Sequence, residues 1–451
     1  MNRGVGARIL RGPVLLFAIL ALCALPGFGQ IDRGAIVGRV MDTSGGVVPK
    51  ATITVTNKAT GVVMTVPVND AGEYQVLALI PGTYSVKASA DGFESVLRDD
   101  IILHVQDRLS IEFTLKVGSV NQQVVVTAGE PLLQTQTADV GNVVDTRLVN
   151  DLPLNGRRYA DLALLEPGVN KFYAANNPAP DRFSVNGNLE LQNNFLLNGI
   201  DNNSWSENLQ EFSVQVVQPP PDAVQEFRVQ TRTYSSEFGN SAGAVINATI
   251  KSGTNEYHGN VFEYIRNNVL DANSWINNKT NRKRGRFVQN QFGGTFGGPI
   301  IKDKTFFFGD FQRFSSRRST TIQSIVPTPL MKQGNFTELL SLPTPKVLSD
   351  SPVAGQTGCV KNNIVQVTST TGQTCIDPVA SKLLALFPDP NVAGGWTGGP
   401  NYVFSPTVPN DVYSLDGRVD HAINHNNHLF GSYSYYHVSR QDPPWTNNAV
   451  V

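Results

Sequence analysis

Charge is scarce in this chain. Charged residues make up 16% of it, against about 25% in an average soluble protein. What charge there is balances: Lys and Arg number 36, Asp and Glu 37, and the net charge is −1. That balance provides no bulk attraction to nucleic acid and excludes it as a partner. Long apolar runs are missing as well. Beyond the N-terminus no stretch approaches the ~18 apolar residues of a membrane-crossing helix, so any insertion must be as a β-barrel. Histidine is rare. The six are His104, His258, His421, His425, His428 and His437, and none has Glu three residues on. The His-x-x-Glu pair of a zinc peptidase is therefore absent. His421, His425 and His428 sit close together, but in a polar turn without a Cys or carboxylate cluster, so they read as surface residues. No metal and no other cofactor is expected.

Apolar residues, at 40%, also fall below the usual ~45–50%. Gly, Asn, Thr, Ser and Gln fill the gap, which favours β-structure with many turns. Aromatics at 9% and near-zero net charge argue against disorder. The 451 residues allow about three domains.

Arg3, Arg8 and Arg11 precede an apolar run from Val14 to Leu22, and Pro26, Gly27, Phe28 and Gly29 follow. This is the order of a cleaved export signal over residues 1–29, with the run too short for a ~20-residue span. Leu22 stands where a lipoprotein site before Cys23 would need a small residue. Cys359 and Cys375 remain after cleavage, bracketing a polar segment. In an exported protein they read as a disulfide in preference to two unrelated thiols.

Residues 30–117 alternate like short strands. Ile36, Gly38 and Val40; Ala51, Ile53 and Val55; Tyr84, Val86 and Ala88; and Ile111, Phe113 and Leu115 each fall on every second position. Ser44-Gly45-Gly46, Asn69-Asp70-Ala71-Gly72, Pro81-Gly82 and Asp91-Gly92 punctuate them. The pattern predicts a sandwich of about seven strands. Asn69-Asp70-Ala71-Gly72-Glu73-Tyr74, then Leu79-Ile80-Pro81-Gly82-Thr83-Tyr84, then Asp91-Gly92-Phe93 resemble the carboxypeptidase regulatory-like domain. That resemblance implies a prealbumin-type, carbohydrate-binding-like fold. With the peptidase part absent, it implies a structural or docking module.

Val124, Val125, Val126, Thr127 and Ala128 form a short β-branched strand before Gly129. Such a strand can add itself to another protein's sheet edge, or simply edge the sandwich; the residues alone fit both. Val143 to Leu152 reads as a short helical segment ending at Leu152-Pro153-Leu154-Asn155-Gly156-Arg157-Arg158. Downstream stand Glu166-Pro167-Gly168, Phe183-Ser184-Val185-Asn186-Gly187, Leu197-Asn198-Gly199-Ile200-Asp201, Gln225-Glu226-Phe227-Arg228-Val229 and Ala244-Val245-Ile246-Asn247. In this order they resemble the plug of TonB-dependent outer-membrane transporters, and with the regulatory-like domain the Oar-like group of that family. The resemblance maps the TonB box onto Val124 to Ala128, places the sandwich in the periplasm and makes TonB the partner that pulls. The solute stays open among siderophores, cobalamin, glycans and peptides.

Gly239-Asn240-Ser241-Ala242-Gly243 matches the nucleophile elbow of hydrolases. That motif needs a helix after the serine, and Val245, Ile246, Thr249 and Ile250 favour a strand. Glycines packing closely against a barrel wall account for it better, and no enzyme is expected.

Five strand candidates follow: Tyr257 to Asn267, Phe287 to Gly298, Thr305 to Ser315, Val412 to His421 and His428 to Ser439. In the fourth, Tyr413, Leu415, Gly417 and Val419 alternate with Ser414, Asp416, Arg418 and Asp420. A membrane barrel turns the first set to lipid and the second to its lumen; a soluble sandwich shares the period. The links run long, short, long, short, as in outer-membrane barrels, and the cysteine pair falls in an outer loop. Arg282-Lys283-Arg284-Gly285-Arg286 falls in another, open to lipopolysaccharide phosphates or merely solvated.

The expected fold class is mainly β. A prealbumin/Ig-like sandwich (30–117) leads through a linker with the TonB box (118–129) to an α+β plug (130–255). The first strands of an incomplete transmembrane β-barrel (256–451) follow. A family barrel of roughly 22 strands needs about 220 residues for its spans alone. The expectation is therefore the N-terminal part of a longer outer-membrane transporter or receptor, with transport belonging to the intact parent. The alternative is an exported carbohydrate-binding or adhesion protein.

Overall fold

The computed structural model describes residues 33–118, 123–127, 140–152, 154, 156–171, 182–204, 214–239, 241–273, 275–279, 283–319, 321–350, 357–393, 399–424 and 427–441. Residues 1–29, read from sequence as an export signal, and Ala128 lie outside them.

The first domain is a two-sheet sandwich. Its strands are β1 (Gly34–Asp42), β2 (Thr52–Asn57), β3 (Val63–Pro67), β4 (Glu73–Leu79), β5 (Gly82–Ser89), β6 (Ser95–Leu103), β7 (Arg108–Ser110), β8 (Phe113–Leu115) and β9 (Gln123–Thr127). One sheet runs β4-β1-β7 with β8 also on β1; the other runs β3-β2-β5-β6-β9. The count exceeds the seven or so that the sequence implies because the chain after Leu103 breaks into the short β7 and β8, and because β9, from the expected linker, joins the second sheet. Ile36, Val40, Ile53, Val55, Val86 and Phe113 meet between the sheets, each burial contributing roughly 1.5–3 kcal/mol. The buried Tyr74 and Tyr84 hydroxyls donate to the carbonyls of Ile111 (2.8 Å) and Ile80 (2.7 Å), which removes the penalty of burying them. Gly38 has to be glycine. A Cβ there would stand 1.8 Å from the Ile111 carbonyl oxygen.

The central domain holds β10 (Val140–Asp145), helix α1 (Thr146–Asp151), a 3-10 turn (Tyr159–Leu165), β11 (Val169–Lys171), β12 (Phe183–Val185), β13 (Asn194–Leu197), β14 (Ile200–Asp201), β15 (Val224–Arg232) and β16 (Val245–Ile250). Its main sheet runs β10-β15-β16-β13-β14, with β13 parallel to β16. The segment read as helical from Val143 starts as strand instead. Val143 and Val144 pair with Arg228 and Phe227 of β15. The helix begins only after Asp145, whose carboxylate accepts from the Leu148 N–H at 2.9 Å. Sheet pairing of a β-branched pair outweighs its weak helical preference. Between β13 and β14 stand only Asn198 (φ +52°) and Gly199 (φ +76°), the left-handed pair that a tight hairpin requires.

The last sheet runs in sequence order: β17 (His258–Asn267), β18 (Phe287–Ile301), β19 (Thr305–Ser319), β24 (Thr407–Asn424) and β25 (Asn427–Arg440). It is open, with β17 and β25 paired on one side only among the described residues. The strands outrun the expected spans; at 14 to 18 residues, β18, β19, β24 and β25 exceed the ~9–11 that cross a bilayer. Alternation holds in β24. Ser414, Asp416 and Arg418 are buried, whereas Leu415 and Val419 are 42% and 45% exposed. In β18 Gln291 is buried, and Phe292 and Phe296 are exposed. Polar inside and apolar outside is the inversion expected of a wall that faces lipid.

The long excursion between β19 and β24 carries β20 (Ile322–Ser324), which pairs with β23 (Tyr402–Phe404), and β21 (Val360–Lys361), which pairs with β22 (Ile364–Val365). Helix α2 (Pro378–Leu386) is capped by Asp377, which accepts from the Val379 and Ala380 N–H groups. Cys359 and Cys375 are joined by a disulfide with Cα atoms 5.5 Å apart.

Candidate functional site

The segment Val124–Thr127 lies in β9, the outermost strand of the second sandwich sheet. It runs parallel to β6, with Val124 beside Val96, Val125 beside Leu97 and Thr127 beside Asp99. Val124 and Val125 are 43% and 57% exposed. The outer edge of β9 meets no strand among the described residues. Its outward backbone donors and acceptors form a template for a further strand. Of the two readings open from sequence, β9 is the edge strand of the sandwich, and its outer edge is open among the described residues.

From β6 the chain enters the turn His104-Val105-Gln106-Asp107, which meets β15 of the central domain. Glu226 accepts from the Val105 N–H and lies 2.9 Å from His104 Nδ1. Arg228, two residues on along the same face, donates to the Val105 carbonyl and to Asp107, each at 3.2 Å. Asp107 Oδ2 also accepts from the His104 N–H at 3.0 Å. Arg228 and Asp107 are both 3% exposed, so this ion pair is buried. The Glu226 carboxylate raises the His104 pKa, against a smaller opposing effect of burial.

The central domain also makes polar contacts with strands of the last sheet. Asp222 pairs with Arg157 and accepts from the Asn260 side chain of β17 at 2.6 Å. Lys251 donates to the Asp222 carbonyl at 2.7 Å. Burial lowers the Lys251 pKa, with Asp222 and Asp310 opposing. Arg418 of β24 donates to the Ile250 carbonyl at 3.0 Å and grips Asp420 with two bonds of 2.8 and 3.0 Å. Ser252 donates to the same carboxylate at 2.8 Å. Gly253 lets the chain pass close to the wall: a Cβ there would stand 2.3 Å from the Phe307 carbonyl oxygen.

Ser241 is followed by a strand rather than a helix, and its hydroxyl lies 3.0 Å from the carbonyl oxygens of Gln192 and Ala244. That is a turn-closing role, not the exposed nucleophile of an elbow. The glycine explanation for this motif needs correcting. A Cβ at Gly243 would meet Asn193 Oδ1 at 2.4 Å, inside the central domain, and one at Gly239 would meet open space. Close approach to the wall belongs to Gly253 instead. His421 pairs with Thr305 at 2.9 Å, and His425 lies outside the described residues. The clasp of His104, Asp107, Glu226 and Arg228 was missed from sequence. Its signal was a charged Glu-x-Arg spacing within a strand whose other face, Phe227 and Val229, is apolar.

Comparison with known proteins agrees with this architecture. Residues 249–450 match the outer membrane beta barrel domain, and residues 35–116 match the carboxypeptidase regulatory-like domain. The chain is therefore an outer-membrane protein with a regulatory-like sandwich. It is 28% identical over 323 residues to the TonB-dependent transporter Oar of Myxococcus xanthus, covering 67% of this chain and 29% of that relative's length. The chain is thus similar to a TonB-dependent transporter and spans less than a third of that relative's length. Among solved structures, the outer membrane transporter YddB from Escherichia coli aligns at 14% identity over 67% of this chain and 33% of its own, with a TM-score of 0.42. The ferric enterobactin receptor PfeA from Pseudomonas aeruginosa aligns at 12% identity over 68% and 34%, with a TM-score of 0.37.

Proposed function

We propose that this chain serves energy-coupled uptake or reception at the outer membrane, driven by TonB. In this reading the sandwich stands in the periplasm, the central domain is the plug, and the last sheet belongs to the barrel wall around it. Val124 to Ala128 form the strand that TonB engages. The observation that carries the reading is the open edge of β9, placed immediately before the central domain. Backbone pairing there is tolerant of sequence and spreads a pulling load over several hydrogen bonds, each contributing a net ~0.5–1.5 kcal/mol. The polar contacts of Arg418 and Asp222 hold the plug to the wall with bonds that water can replace, unlike a continuous apolar seam. The chain acts by moving a solute, not by chemistry on it. Siderophores, cobalamin, glycans and peptides remain the solute classes, and lipopolysaccharide phosphates are partners for the basic run at 282–286.

The test is capture of outer-membrane protein by the purified periplasmic domain of TonB. Intact protein is retained, and deletion of 124–128 abolishes retention. Retention unchanged by the deletion would sink the assignment.

A further inference from the structure

We infer that the turn at 104–107 is a mechanical clasp that carries a pull on β9 into β15 of the central domain. The inference rests on the coupling-edge reading above and adds a route for the load. Two routes lead from β9 to the central domain. One follows the chain through 128–139 to β10. The other crosses from β9 to β6 through their parallel ladder, then passes along β6 into the turn that directly follows it.

The second route ends on a built joint. Glu226 takes the Val105 N–H and the His104 ring, while Arg228 takes the Val105 carbonyl and the Asp107 carboxylate. Both backbone polar groups of Val105 are thus held by side chains of one strand. Glu226 and Arg228 lie two apart on β15, so they present one face, while Phe227 and Val229 between and beyond them anchor the opposite face in the central core. β15 in turn pairs with β10 on one side and β16 on the other. A displacement of the turn therefore acts on an interior strand of the central sheet. A pull along β9, opposed by the anchored end of β6, shears their ladder, which resists collectively, instead of unzipping it bond by bond.

The experiment uses the full-length protein in the outer membranes of living cells, with Val229→Cys as a reporter close in volume to the residue it replaces. Cys359 and Cys375 are bonded to each other and do not compete for the maleimide probe. In energised cells the reporter becomes labelled, and collapsing the proton-motive force protects it. Glu226→Gln with Arg228→Gln should retain TonB capture yet lower labelling to the level of de-energised cells. Should that variant fail to reach the outer membrane, Asp107→Asn opens the clasp from the sandwich side alone and should give the same loss. Exchanging the pair as Asp107→Arg with Arg228→Asp should restore labelling. Undiminished labelling in the clasp variants, with capture retained, overturns the clasp and returns the load to 128–139. So does a reporter that never responds to energisation. Capture that survives deletion of 124–128 overturns the coupling-edge reading itself, and is seen independently of the label.

Discussion

Arg418 reaches out of its own strand to the Ile250 carbonyl, the last residue of β16, at 3.0 Å, while its other nitrogens hold Asp420 at 2.8 and 3.0 Å. Its side chain is almost fully buried. The arginine is neutralised by a neighbour on the same strand, which leaves one N–H free to dock the central domain. Arg418→Ala should weaken that docking by about 1.5–3 kcal/mol, because the charged hydrogen bond to Ile250 is lost and the half-buried Asp420 keeps only Ser252. Arg418→Lys should recover only part of this, since an ammonium cannot form the two-pronged bond. Hydrogen exchange at Ile250–Ser252 reads both.

His104 predicts a pH dependence. Glu226 raises its pKa in the folded state, with Asp107 and Asp145 adding to the effect. A raised folded value means the stabilisation is complete below the unfolded value of about 6.5 and disappears as pH climbs through the folded value. The denaturant midpoint of the sandwich–central pair should fall from mildly acidic to alkaline pH. His104→Gln should flatten that slope, and an unchanged slope would show that other groups set it.

Gly38 and Gly417 form a contrasting pair. Gly38→Ala drives a methyl into the Ile111 carbonyl; backbone cannot rotate away, so the sandwich should lose at least ~1–3 kcal/mol. At Gly417 nothing lies within 4 Å of an added Cβ, so Gly417→Ala should stay within about 0.5 kcal/mol of the original. Thermal unfolding of each variant makes the comparison.

The disulfide closes a stretch with a sequence separation of 16, for which chain entropy gives about 3 kcal/mol. Cys375→Ser should therefore speed proteolysis within 357–393 and leave cleavage of the sandwich unchanged.

Much of the architecture could be read before any coordinates. The period of two in Ile53–Val55 and in Ser414–Val419 named strands and their faces, because alternate side chains of a strand must point opposite ways. The resemblance located the regulatory-like domain and the barrel. Element ends were less legible: β24 begins at Thr407, not Val412, since Pro409 and Asn410 look like turn residues until a neighbouring strand supplies their partners. Val143 and Val144 were misread for the same reason, their strand state being conferred by β15.

By itself the sequence determined a β-rich chain, a sandwich, and strands that alternate polar and apolar residues. These follow from local pattern and composition. Only the tertiary structure decided that Val124–Thr127 lies on β6, that Arg418 docks Ile250, and that Glu226 and Arg228 close on the turn at 104–107. Those partners stand far apart along the chain, more than a hundred residues in the last two cases. No periodicity encodes which distant charge will neutralise a buried one; packing decides it when the chain folds.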